Sequence, residues 1–426
     1  MSAAPAMKIR LPAFASRDFQ IFWTTQLISL IGTWMQTTVQ SYLAYRITGQ
    51  PIYLGLIGVA NTLPTLLFTL PGGVWVERLD KRKTVIAFQA VMMAQAFALA
   101  LLTLAGVVTI WHIVALAFVL GAANSIEITA RQAMMIEIVG KQGLPNAIGL
   151  NSTAFNVARV IGPALSAPLL LIFADNGEGW AFFLNGVSYL VVILGLLAIH
   201  PRAASMPEGR RPGHAAPASA FAQFREGQRY IRQNVLIGLV IVMAAVPGLF
   251  AFPVVQQVPA FARDVLAQPG DTDAVVAARN SALVTAQGIG ALSAAVMLTL
   301  LSTFRRKGWL MTVGQFAFSA ALLGIGLSRH FTLTLPILTL FGWGTVTSLA
   351  TSNTIIQLVV PDELRGRVIS TYLWALQGIA PFGSLLIGGM AQMWGAPLAA
   401  LFSGLACLAI YAAINLKTPT ARRFEG

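Results

Sequence analysis

An all-α integral membrane protein, with twelve transmembrane helices in two pseudo-symmetric six-helix bundles, is the fold class that three observations predict for this chain. Its 426 residues are 56% hydrophobic and only 10% charged, so bilayer rules rather than soluble-domain rules apply. The apolar residues gather into twelve stretches, each long enough to cross ~30 Å of hydrocarbon as a helix. Twenty-three of the 28 Lys and Arg residues fall in every second gap between those stretches, which is the asymmetry of loops retained in the cytoplasm.

The spans are expected at roughly 21–45, 52–76, 84–106, 110–130, 147–174 and 179–199, then at 233–260, 281–303, 308–328, 331–357, 368–393 and 396–416. The inner gaps hold Lys8, Arg10 and Arg17; Arg78, Lys81, Arg82 and Lys83; Arg131 and Lys141; and six arginines between 202 and 232. Arg305, Arg306, Lys307, Arg365, Arg367, Lys417, Arg422 and Arg423 follow on the same side. The outer gaps keep only Arg46, Arg263, Arg279 and Arg329, so both termini are expected in the cytoplasm. The chain then divides into an N-terminal segment 1–20, a bundle 21–199, a linker 200–232 rich in Pro, Ala, Arg and Gly, a second bundle 233–416 and a tail 417–426. Five identities at an offset of 218 residues, Ser152/Ser370, Thr153/Thr371, Ile161/Ile379, Pro163/Pro381 and Ser166/Ser384, lay the fifth span over the eleventh, as in two parallel halves enclosing a pathway.

The net charge of +13 is accounted for by topology, so nucleic acid is not an expected partner. The single cysteine, Cys407, excludes an intramolecular disulfide. Ala13-Phe14-Ala15 has the small-residue look of a cleavage site, but no apolar region precedes it, and the first span is expected to remain as an anchor. There is no HExxH, GxSxG or phosphate loop and no Cys/His cluster. The expectation is therefore no enzyme activity, no metal, no cofactor and no direct use of ATP.

Two ionisable groups lie inside spans, Glu127 and Arg159, and intramembrane charge is a functional hypothesis by default. They are the proton-coupling candidates. Against that, Arg131 sits four residues after Glu127, which suits a structural ion pair, and Arg159 could equally anchor helix five or attract an anionic substrate. Gln26, Ser29, Thr33, Gln36 and Gln40 recur at spacings of three and four along span one, one stripe of a helix. With Asn124, Gln256, Gln257 and Gln377 they are expected to line a central substrate cavity, interhelical hydrogen bonding being the alternative for each singly. Gly162 and Pro163 in span five and Gly288 in span eight offer small faces for close helix packing.

Gly73-Val-Trp-Val-Glu77-Arg78-Leu-Asp80-Lys81-Arg82-Lys83 resembles the loop between helices two and three of the major facilitator superfamily. Gln26-Leu-Ile-Ser29-Leu-Ile-Gly32-Thr-Trp34-Met-Gln36, Glu127-Ile-Thr-Ala-Arg131-Gln132, Pro259-Ala-Phe-Ala-Arg-Asp264-Val-Leu and Pro361-Asp-Glu-Leu-Arg365-Gly366-Arg367-Val resemble its drug:proton antiporter branch that contains the enterobactin and macrolide exporters. Two positions depart: Asn280-Ser281 stands where this branch commonly has Tyr-Gly, and Ala117 where many antiporters carry an Arg. The resemblance implies an intracellular gate built from Gly73, Glu77, Arg78, Asp80, Arg82, Arg131, Arg365 and Arg367, in which an acid bonds the free amides of helix eleven near Gly366. A solvated turn is the plainer alternative. It further implies a monomeric, proton-coupled exporter of a drug-like or siderophore-like amphipathic molecule, multi-pass in the plasma or inner membrane with lipid around it. An uptake carrier, a lysolipid flippase, an uncoupled uniporter and a non-transporting scaffold or sensor are the rival expectations.

Overall fold

The computed structural model describes residues 12–199, 220–418 and 420–425, excepting the side chains of Pro12, 69–75, Glu77, Arg78, Lys141, Asp175 and 220–224. A 3-10 turn at Pro12–Ala15 leads into α1, Arg17–Thr48. Ser16 starts α1 by accepting from the Phe19 N–H, and Gly49 ends it at φ 61°, a conformation that favours glycine. The first half continues with α2 (Pro51–Arg78), α3 (Lys81–Leu104), α4 (Ile110–Gly140), α5 (Gln142–Phe173) and α6 (Gly177–Ala198). A linker helix, Ala220–Gln233, precedes α7 (Val235–Val265), α8 (Asp273–Leu300), α9 (Lys307–Leu327), α10 (Phe331–Val359), α11 (Asp362–Trp394) and α12 (Ala396–Lys417). No strand occurs among the described residues.

Eleven of these helices, α2 to α12, are long and apolar enough to cross a membrane. The twelfth, α1, is 32 residues long, ample for a crossing, but its Gln, Ser and Thr residues dilute its apolarity. Several helices outrun the expected spans. α4 and α5 extend past 130 and before 147 until they meet at Gly140, whose φ of 66° and ψ of 177° reverse the chain with no loop. α8 begins at Asp273 instead of 281 because Thr272 caps it through the Val275 N–H. Hydropathy locates the lipid-embedded length, whereas capping groups set the ends.

The two halves repeat one packing scheme. Gly162 of α5 lies against Ile31 and Trp34 of α1, and Gly248 of α7 against Leu376 of α11; Gly121 of α4 meets Asn61 of α2, and Gly290 of α8 meets Thr339 of α10. Between the halves, α2 packs on α11 and α5 on α8, which are the same contact moved on by six helices. Small residues allow it: a Cβ at Gly55 would lie 2.3 Å from the Ser384 carbonyl oxygen, and one at Gly288 2.8 Å from that of Arg159. Ser384 and Ser166, one of the duplicated pairs, thus sit at equivalent interfaces, the hydroxyls of Ser166 and of Ser281 in α8 lying 2.8 Å apart.

α7 and α11 are the irregular helices. α7 carries π turns at Pro247–Ala251 and Phe261–Val265, and α11 one at Trp374–Gly378. Pro247, Pro253, Pro259 and Pro381 remove backbone donors beside them, and such turns inside helices recur at functional sites.

Candidate functional site

The interface between the halves has two unlike ends. At the end remote from the basic loops, α1 and α2 of the first half are tied to α7, α8 and α11 of the second. The Tyr42 hydroxyl donates to the Asp273 carbonyl oxygen at 3.1 Å, and the Tyr45 hydroxyl donates to the Asp264 carboxylate. Asp273 lies 3.1 Å from Arg263 of its own half and 4.0 Å from Arg46 of the other, while Arg46 also pairs with Glu178 at 3.0 Å. The Ile52 N–H donates to Gln392 at 3.4 Å. Sequence patterning did not single out these residues; the visible signal was oppositely charged residues at the ends of spans one, seven and eight, with Asp264 inside a matched motif.

At the basic end, no hydrogen bond or ion pair joins the halves among the described residues. Asp80 caps α3, accepting from the Lys83 N–H at 2.9 Å. Arg82 donates to the carbonyls of Leu196 and Leu197 at 2.8 and 2.9 Å, closing the end of α6, and Lys81 pairs with Glu137 at 3.4 Å. Arg365 pairs with Asp362 of its own helix, and Arg367 with Glu226 of the linker helix. A Cβ at Gly366 would meet nothing within 4 Å. The expected bridge from the helix-two loop to α11 is therefore not formed by Asp80, Arg82, Arg365 or Arg367 in this conformation. The side chains of Gly73, Glu77 and Arg78 lie outside those described.

Glu127 and Arg131 are brought together within the first half. Their ion pair is 3.2 Å long, with side chains 2% and 9% exposed. Gln89 of α3 donates to Glu127 at 3.0 Å, and Arg131 donates to Asn151 of α5 at 3.0 Å, so the pair ties α3, α4 and α5 together. Arg159 is not part of it. Its guanidinium lies 5.6 Å from the centre of the Trp34 ring of α1, and it enters none of the ion pairs seen among the described residues.

The polar stripe of α1 points into the first bundle and not, as the spacing suggested, into a cavity between halves. Gln36, fully buried, donates to Gln95 at 3.1 Å and accepts from Asn185 at 2.7 Å. Thr33 bonds Tyr189 at 2.9 Å, and Gln40 donates to the Ile113 carbonyl at 3.4 Å. Gln26 and Ser29 are buried as well. The reason is that α3 and α6 present amides and a hydroxyl, and α4 a backbone carbonyl, which pair with Thr33, Gln36 and Gln40, while the Gln26 side-chain oxygen is buried without a partner. Of the remaining cavity candidates, Gln256 abuts Gly58 of α2 across the interface, and its side-chain oxygen is buried without a partner. Gln257 is buried with both amide atoms unpartnered, while Asn124 and Gln377 are exposed. Of the small-residue motif, Gly288 meets α5 but Gly162 meets α1; Pro163 accepts from Ser166 at 2.7 Å.

Comparison with known proteins follows the same lines. Residues 10–424 match the transmembrane secretion effector family. The chain belongs to that family, a branch of the major facilitator superfamily. The staphyloferrin A transporter of Staphylococcus aureus is 22% identical over 375 residues, covering 88% of this chain and 89% of the relative. The enterobactin exporter EntS of Shigella flexneri is 24% identical over 424 residues, covering 97% and 93%. Among solved structures, a bacterial homologue of the human lysosomal transporter Spinster superposes with a TM-score of 0.70 at 16% identity over 98% of each chain. The nucleoside transporter NupG does so at 0.70 and 12%, over 96% and 99%. As a member of the secretion effector family the chain is a multi-pass membrane transporter with the major facilitator fold.

Proposed function

We propose that the protein is a secondary active exporter that moves a siderophore-like amphipathic molecule across the plasma or inner membrane by alternating access, with both termini cytoplasmic. The observation that carries this is the asymmetry of the interface: one end tied by cross-half bonds, the other with no bond between the halves among the described residues. That is one of the two states a rocking carrier needs. The concentration of Lys and Arg at the untied end supports assigning it to the cytoplasm. The siderophore class is carried over from the relatives, one of which is named for export. Gln256, Gln257, Gln377 and Asn124 then serve as polar contacts in an otherwise apolar path. Glu127 is assigned the proton, since it is the buried acid whose pairing with Arg131 can change as the helices around it move. Glu77, beside Arg78, is assigned to gate closure in the opposite state.

The test is reconstitution. Proteoliposomes with an imposed pH gradient should accumulate labelled enterobactin or staphyloferrin A in the direction set by the gradient. Loss of accumulation on collapsing the gradient supports coupling. Accumulation indifferent to the gradient would remove the proton from the scheme, and accumulation in the uptake direction would reverse the assigned polarity. Cysteines at Lys83 and Arg306 should label only from the cytoplasm, and one at Thr272 only from outside, in a chain with Cys407 replaced.

A further inference from the structure

Arg159 is placed where a permanent cation is hardest to keep. It lies near the middle of α5, roughly 20 Å along the helix from Phe173 and 25 Å from Gln142, too deep for its side chain to reach either surface comfortably. Its neighbours do not neutralise it: no acid pairs with it among the described residues, and Glu127 is already held by Arg131 and Gln89. An arginine keeps its charge in a protein, so it cannot itself carry a proton.

What surrounds the guanidinium is aromatic. One side is covered by Trp34 at 5.6 Å, and the Trp34 ring is met edge-on by Phe155, with ring centres 5.5 Å apart at 75°. Phe155 is 46% exposed, so this aromatic surface is open on one side. The backbone of Arg159 carries the contact with Gly288, which puts the cluster where α1, α5 and α8 converge between the halves. With one face on the indole, the fork of N–H donors at the edge of the guanidinium is left to grip an oxyanion, and Phe155 is left to stack against whatever bears it.

We infer that Arg159, Trp34 and Phe155 form a recognition subsite for an oxyanion attached to an aromatic ring, such as an aryl carboxylate. This rests on the proposal that the chain is a carrier, and it specifies the chemistry of the cargo. The partner absent from the protein is then supplied by the ligand, and the charge is neutralised only while cargo is bound.

The probe pair is 2-naphthoate and 2-naphthamide, alike in shape and different in charge, measured by equilibrium dialysis on the whole chain in neutral-lipid nanodiscs. The wild type should bind naphthoate at least tenfold more tightly than the amide. Arg159→Gln should abolish that preference and leave the amide unchanged, while Trp34→Leu should weaken both probes. Should Arg159→Gln not fold, Arg159→Lys reads the same difference: charge without the fork should weaken naphthoate about tenfold, a tenfold change being 1.4 kcal/mol, and spare the amide. Equal binding of the two probes by the wild type, no naphthoate binding, or unchanged naphthoate binding in the variants overturns the subsite. Siderophore flux is measured separately: flux without Arg159-dependent naphthoate binding sinks the subsite alone, and Arg159-dependent binding without flux sinks the exporter proposal alone.

Discussion

At the tied end of the interface, α2 and α11 touch backbone to backbone through Gly55, Ser384 and Gly388, and Tyr42 and Tyr45 cross to the opposite half. At the basic end the charged residues are more numerous, yet each described pair stays within its own half or bonds the linker helix. Density of charge therefore does not locate the closed end. Closure at the tied end is a matter of close approach, which only small residues permit, with a few polar links at the rim. The described ion pairs at the basic end hold helices within each half or bond the linker helix.

The largest effect on the balance between the two states should come from breaking the close approach. Gly55→Leu would place a side chain where the Ser384 carbonyl now lies 2.3 Å from the Cβ position, and backbone cannot yield as a flexible side chain can. Overpacking of this kind costs about 1–3 kcal/mol, and the cost falls on the state closed at this end only. A bias of that size shifts the two-state ratio on the order of 5- to 150-fold. Transport should fall about fivefold or more, and a cysteine at Thr272 should react faster from the Gly55 side of the molecule. Unchanged transport and labelling would mean that α2 and α11 do not need to approach this closely.

Glu127→Gln comes next and tests the other end. If Glu127 carries the proton, the variant keeps counterflow and loses accumulation driven by a pH gradient. If instead the buried pair with Arg131 is structural, leaving Arg131 uncompensated costs about 3–5 kcal/mol, and counterflow and thermal stability fall together. Gradient-driven transport at the wild-type level would sink the proton role. Tyr45→Phe, a smaller change, removes one hydrogen bond to a carboxylate at the tied end, about 1.5–3 kcal/mol if fully formed; the expected result is faster labelling at Thr272 with the protein's expression unaffected.

The fold was legible because hydropathy and the positive-inside bias act on every span and are insensitive to any single contact. The offset of 218 was also readable, since Ser166 and Ser384 do occupy equivalent interfaces. The site was much less so. A stripe of amides on α1 tells only that one face avoids lipid, and both a cavity and a bundle interior satisfy that; the choice was made by Gln95, Asn185 and Tyr189 on other helices. Arg82 was readable as a loop cation, but its use as a cap for α6 depends on where α6 ends in space. On the rim of the tied end, Tyr42, Tyr45 and Arg46 share one face of α1, but that spacing does not say that the face meets Asp264 and Asp273 of the other half.

The smallest expected effect concerns that rim. Asp273 stands between Arg263 and Arg46, but its side chain is 52% exposed and the cross-half distance is 4.0 Å, so solvent screens the attraction and the pair contributes about 0–1 kcal/mol. Asp273→Asn keeps the backbone carbonyl that accepts from Tyr42 and removes only the charge. Transport should change less than threefold in physiological salt, with the deficit growing as ionic strength is lowered, because the wild-type pair is then less screened. Glu178, pairing with Arg46 at 3.0 Å with only 4% of its side chain exposed, gives the internal contrast: Glu178→Gln leaves Arg46 without its closer partner and should cost more than Asp273→Asn at every salt concentration. The measurement is the initial rate of transport for the two variants between low and high salt. A salt-independent loss in Asp273→Asn larger than that in Glu178→Gln would show that the exposed carboxylate, and not helix approach, holds the tied end shut.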